Sequence, residues 1–116
     1  MQGMAHEIWL NRWGVAIDQR EQRVGTAGLS ASERLIHIFW LLSQSMRAHG
    51  DLFAARQRDP SLFRDGLAAA RELDLPGLIV IFSSSVGWIE AHFFEQFDAM
   101  CRELQPLRPV TGSDIH

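Results

Sequence analysis

The sequence contains no lysine and no tyrosine, and only one cysteine, Cys101. A single thiol excludes an internal disulfide and any zinc site built on paired cysteines. With lysine absent, all 11 bases are arginine. Arginine favours bidentate and stacked contacts, but its uniform use reads more simply as a composition effect of the genome. The opening residues, MQGMAHEIWLNRW, lack a basic segment followed by a continuous apolar run, so no secretion signal is expected. The longest greasy stretch, LIHIFWLL, falls far short of the roughly 20 residues that cross a bilayer. A reducing, cytoplasmic setting without membrane association is therefore expected. Net charge is also small: 14 acids against 11 bases leave −3, too mild for a polyanion partner. Its sign also opposes direct nucleic-acid binding. No glycine-rich phosphate loop, low-complexity tract or repeat of about 20 to 50 residues occurs.

What is present suits one globular domain, with 47% apolar and 22% charged residues. For 13.2 kDa, surface scaling gives roughly 6,400 Å² when folded against about 19,000 Å² for the open chain, enough for a single core. The centre of that core is legible. Between Leu35 and Leu42 only His37 is not apolar, and a helix greasy on every side belongs in the middle of a fold. Ser30 and Glu33 have capping-box spacing, Leu29 is placed as a staple, and Gly50 suits a left-handed stop. A central helix over Ser32–His49 follows.

The rest of the chain offers cover. Ile8, Trp9, Trp13, Ala16, Ile17 and Val24 recur at helical spacing between Ala5 and about Arg23. Trp9 and Trp13 share a face and read as docking side chains rather than a ligand platform. Asp51–Arg58 reads as a short helix turning Leu52 and Phe53 inward. Asp59-Pro60 reads as cap and first-turn proline of a helix to about Leu73, with Leu62, Phe63, Leu67, Ala70 and Leu73 as its apolar face. Asp74-Leu75-Pro76 resembles another helix start. Leu78–Phe82 suits a buried strand as well as a helix, but no partner strand exists, so a helix is expected. From Gly87 to Leu104 a stripe of Val86, Ile89, Phe93, Phe97, Met100 and Leu104 steps by three or four. The expected fold is all-α: a single-domain bundle of about five helices around Ser32–His49, spanning 1–105, with 106–116 as an extended tail.

Chemistry is sparse. His37 reads as a core histidine bonded to backbone or Glu33, and the interleaved charges between Arg47 and Arg71 as a solvated face. SSSVG fails the G-x-S-x-G pattern. Off the stripe of the last helix lie Glu90, His92, Glu95, Asp98 and Glu103, opposed by Arg102; four acids and one base give −3. His92, Glu95 and Asp98 could serve a metal-dependent hydrolase, the least favoured reading. Their order reverses the Glu-x-x-His ligand motif, and no matching set stands on another helix. Trp88 and Phe94 also leave the stripe and form a candidate exposed patch.

LSASERLIHIFWLL, HGDLF, AARELDLPGL and FFEQFDAM, in that order across roughly Leu29–Leu104, resemble a small bacterial family named after a DNA-mimic protein. Gly50 stands where that family has an Asn-Gly-Gly-Phe turn, and RQRDPS replaces its Asn-Ser-Ser-Gly stretch. The resemblance implies an all-helical fold and binding rather than catalysis, by copying the charge of DNA. Duplex DNA carries about one charge per 1.7 Å, and 11 bases among 14 acids argue against full mimicry. The expectation is a non-enzymatic protein-binding module of inhibitor, immunity or regulatory type, with no cofactor and no metal. Its contact residues would be Trp88, Glu90, His92, Phe94, Glu95, Asp98 and Glu103. The alternative is a homo-oligomeric structural protein, with Trp9 and Trp13 or Trp88 and Phe94 at a homodimer seam.

Overall fold

Serine at position 30 starts the element on which the bundle is assembled. In the computed structural model, which describes residues 2–107, its hydroxyl accepts the Glu33 N–H at 3.1 Å. The Glu33 carboxylate in turn accepts the Ser30 N–H at 2.9 Å, completing the capping box. The chain runs through α1 (Gln2–Val24), a 3-10 turn (Thr26–Gly28), α2 (Ala31–His49), α3 (Phe53–Arg58), α4 (Leu62–Glu72), α5 (Pro76–Ser83) and α6 (Val86–Leu104). The described residues contain no strand, so the all-α expectation holds with six helices in place of about five. Within them no helix is long and apolar enough to cross a membrane. Of the expected tail, everything beyond Leu107 lies outside the described residues.

Helix α2 is the buried strut, beginning one residue earlier than expected and ending at Gly50, left-handed at φ 76°. Leu35 to Phe39, Leu41 and Leu42 are all buried, Ile38 and Leu41 included. Helices α1, α3, α4 and α6 pack against it, and α5 fills the space between α4 and α6. The Phe39 ring meets Phe93 and Phe97 of α6 at 5.4 and 5.8 Å between centroids. The surface is 6280 Å², close to the compact-chain expectation.

Several local expectations are corrected by longer-range contacts. On α1 the buried stripe is His6, Leu10, Gly14 and Ile17, so the face is rotated: Ile8 is 62% exposed, and Val24 also faces solvent. Phe53 points outward at 61% exposure, because Leu52 and Ala55 already define the inner face of the short α3. Asp59 does not cap a helix at Pro60. Its carboxylate accepts the Ser61 N–H at 3.3 Å and binds Arg34, which delays α4 to Leu62. Asp74 ends α4 instead of opening α5. At φ 57° it occupies the left-handed position of a Schellman turn, with the Leu75 N–H donating to Ala70 O at 3.0 Å. His37 bonds neither backbone nor Glu33 but Asp18, on α1.

Two glycines sit where another helix needs the space. The Trp40 indole lies on the α1 backbone so closely that a Cβ at Gly14 would be 2.1 Å from its Cγ. Phe82 approaches Gly66 in the same way, at 2.6 Å. An exposed mid-helix glycine-to-alanine change gains about 1 kcal/mol. At Gly14 the sign should reverse: Gly14→Ala is expected to lose about 1–2 kcal/mol through overpacking against Trp40. Urea unfolding of the variant measures this, and a net gain would show that the indole yields freely.

Candidate functional site

The outer face of α6 differs from a free acidic strip. Helix α5 begins with Leu75 at its cap position and has no side chain of its own to cap it. Glu103 supplies the acceptors, taking the Gly77 N–H at 2.8 Å and the Leu78 N–H at 3.0 Å. Anionic oxygens at a helix N-terminus satisfy orphan donors and the helix dipole together. Glu90 does the same for α3, accepting the Leu52 N–H at 2.9 Å. Asp98 sits 2.9 Å from His6 Nδ1 and ties α6 to α1. Three of the four acids therefore join the bundle together. Glu95 remains exposed, 3.3 Å from His92 Nδ1. His92 and Glu95 adjoin while Asp98 turns to His6, and among the described residues no three His, Cys, Asp or Glu groups gather closely enough to hold a metal ion.

The structure does bring the two aromatics of this face into the open. Phe94 is 51% and Trp88 38% exposed. At about 100° per residue they stand on either side of Gly87 and Ala91, both exposed, so two rings border a low floor. Both rings are held. Trp88 lies 4.4 Å from His92 between centroids, and the Arg47 guanidinium sits 5.3 Å over Phe94 and 4.9 Å over Phe97. Arg47 is itself 3.3 Å from Glu7 of α1. Nearby Cys101 is inert: burial first, then the charge of Asp98, pushes its thiol up to about 12.

A second polar assembly was hidden from local pattern reading. At the junction of α1, α2 and the α3–α4 turn, Asp18 receives both His37 Nε2, at 2.9 Å, and Arg58. Buried Arg34 donates to Asp59 and Asp65 at 2.7 Å each. Arg20 lies 3.3 Å from Glu33. Burial alone would raise the Asp18 pKa, but the hydrogen bonds and charges of His37 and Arg58 outweigh it and hold the carboxyl below its ordinary 3.8. Burial likewise opposes ionisation of Asp65, and Arg34, with help from Arg64, lowers it. For Arg34 itself burial disfavours the charge, and its two carboxylates outweigh that, raising the pKa. These partners lie 19, 25, 31 and 40 residues apart, beyond any helical spacing rule.

The lowered carboxyl values set a pH dependence. A group whose folded pKa is depressed contributes stability above its unfolded value and loses it as pH falls toward the folded one. Asp18 and Asp65 thus stabilise the fold fully above about pH 4 and progressively less below it. In Asp65→Asn the urea midpoint should fall less steeply than wild type between about pH 4 and pH 2. Parallel curves would show that the carboxylate is not held below its ordinary value.

Comparison with known families, with characterised proteins and with solved structures returns no match.

Proposed function

We propose that this chain is a non-enzymatic binding module that docks a protein partner on the outer face of α6, with Trp88 and Phe94 as anchors and Glu95 as the charged contact. The observation that carries this is the exposure of the two rings beside buried Phe93 and Phe97 on the same helix. Tryptophan is enriched among the residues that dominate interfaces. Arg47 and His92 already hold the two rings, so little side-chain entropy remains to be lost on docking. The matching partner places an apolar side chain between the rings and a basic group opposite Glu95. A nucleic acid fails the second demand, since its phosphates would face the Glu95 carboxylate. Charge mimicry of DNA through α6 finds little support, because Glu90, Asp98 and Glu103 are engaged inside the bundle. A cytoplasmic setting suits the free thiol of Cys101.

Photo-cross-linking in cells tests the reading. Benzoylphenylalanine at position 94 should give one discrete adduct with another protein, and the same group at exposed Val80 of α5 should not. No adduct at 94, or the same adducts from both positions, would remove the assignment. A second reading, homodimerisation, is favoured by α1. Trp9 and Trp13 pack half-buried against the core, but Met4, Ile8 and Val15 stay exposed within about 40° of one another on the helix. An adduct with a second copy of the chain, or a dimer in sedimentation velocity abolished by Ile8→Glu, supports that reading.

A further inference from the structure

A cleft of about 340 Å³ opens between α2 and α3, on a different side of α2 from the α6 rings. Its volume lies at the small end of the range of ligand pockets. The Trp40 indole and the methyl groups of Ala48 and Ala54 line it, and its polar lining includes Gln44, His49 and Arg58. No aspartate or glutamate contributes to the lining, in a chain whose net charge is −3. The hollow is apolar in body and basic in its charged groups.

Arg58 is the pivotal residue. A guanidinium carries five N–H donors in a planar fork matched to a carboxylate, and the hydrogen bond to Asp18 uses Nη2. Behind it, a smaller polar chamber of about 100 Å³ shares Leu41 and Arg58 with the cleft and contains His37. His37 is 2% exposed, and its Nδ1 is buried without a hydrogen-bond partner while Nε2 serves Asp18. Cleft and chamber therefore share an arginine already bonded to Asp18, and the chamber adds a histidine with one nitrogen unused. Trp40 is held in place: Nε1 donates to Asn11 at 3.2 Å, and its ring stacks on His37 at 5.9 Å between centroids.

We propose that the α2–α3 cleft is a binding site for a small aromatic carboxylate, with Trp40 and the alanine methyls taking the ring and Arg58 the carboxylate. An aromatic ring against an indole gains more than its buried area alone. A carboxylate opposite an arginine in a hollow free of acids gains a charge-assisted, bidentate contact. A cation of the same shape finds no acid in the lining to pair with, the carboxylate of Asp18 being bonded to Arg58 and His37. The site is independent of the α6 face, and each stands or falls alone.

The test uses the full chain, with benzoate as the probe and benzamide as its neutral isostere, followed by ¹H–¹⁵N correlation spectra. Trp40→Phe assigns the Trp40 indole resonance. Benzoate should shift that resonance and the amides of residues 44–49 and 54–58 saturably. Benzamide, and benzoate with Arg58→Gln, should bind roughly tenfold more weakly. Ala54→Leu fills the cleft and should abolish the shifts; Ala48→Leu, on the facing helix, is the second filling variant should the first not fold. Absence of saturable shifts overturns the site. So does undiminished binding in a folded filling variant, or shifts confined to the separate hollow of Phe53, Arg56 and Pro60. Equal affinity for benzamide overturns the carboxylate assignment.

Discussion

Replacing Arg34 by methionine should lower the unfolding free energy by about 3 kcal/mol, the lower end of what breaking a buried ion pair costs. For a chain of this size that corresponds to a fall of about 10 °C in Tm. Arg34 is 8% exposed and joins α2 to both Asp59 and Asp65, one before α4 and one in its first turn. Methionine keeps the apolar stem and removes the charge, leaving two carboxylates near one another, with Arg64 beside Asp65. Both acids are partly solvated, which places the cost at the lower end. Adding Asp65→Asn should restore part of the loss, since it removes one unpaired charge, and a double-mutant cycle in urea measures the coupling. Lysine should restore less than arginine because it cannot serve two carboxylates with a planar fork. A loss below about 1 kcal/mol would place Arg34 among ordinary surface ion pairs.

Phe39→Ala should cost still more, about 4 kcal/mol, within the range for emptying a buried phenylalanine site. The ring is 1% exposed and stands between the strut and α6, against Phe93 and Phe97. Those neighbours belong to a helix already pinned by Glu90, Asp98 and Glu103, so collapse into the vacated space is restricted. The contrast with Phe94→Ala is the informative part. Phe94 is only four residues from the pinning residue Glu90 and adjacent to Phe93, yet its removal should cost less than about 1 kcal/mol, because its ring is half exposed. Equal costs at Phe39 and Phe94 would mean that the outer ring is part of the fold.

The bundle was legible wherever structure is decided within one or two turns of chain. The greasy run of α2, its capping box and Gly50, the α6 stripe and the partnerless Leu78–Phe82 run all specify helices locally. The misses share one cause. The local sequence around Asp59, Asp74 and the acids of α6 points to near neighbours, but their partners are 25 to 92 residues away or depend on how another helix ends. A signal for two of them was present. Leu52 and Leu75 precede helices without a Ser, Thr, Asp or Asn at the cap, and a helix start of that kind needs an acceptor from elsewhere. Gly14 and Gly66, each inside a helix, marked the close approaches of Trp40 and Phe82. Of the candidate face, Trp88 and Phe94 were legible from their departure from the stripe. That Glu95, and not Glu90 or Glu103, stays exposed required the three-dimensional arrangement.

The central claim is that the fold keeps Trp88 and Phe94 on its surface for a partner and does not rely on them for stability. The double variant Trp88→Ala, Phe94→Ala tests it most directly, with the urea midpoint measured alongside affinity for the protein cross-linked at position 94. The expected result is a midpoint close to wild type with affinity reduced about 100-fold or more, as two interface anchors lost together imply. Wild-type affinity in the double variant, or a collapse of stability that accounts for the lost binding, would contradict it.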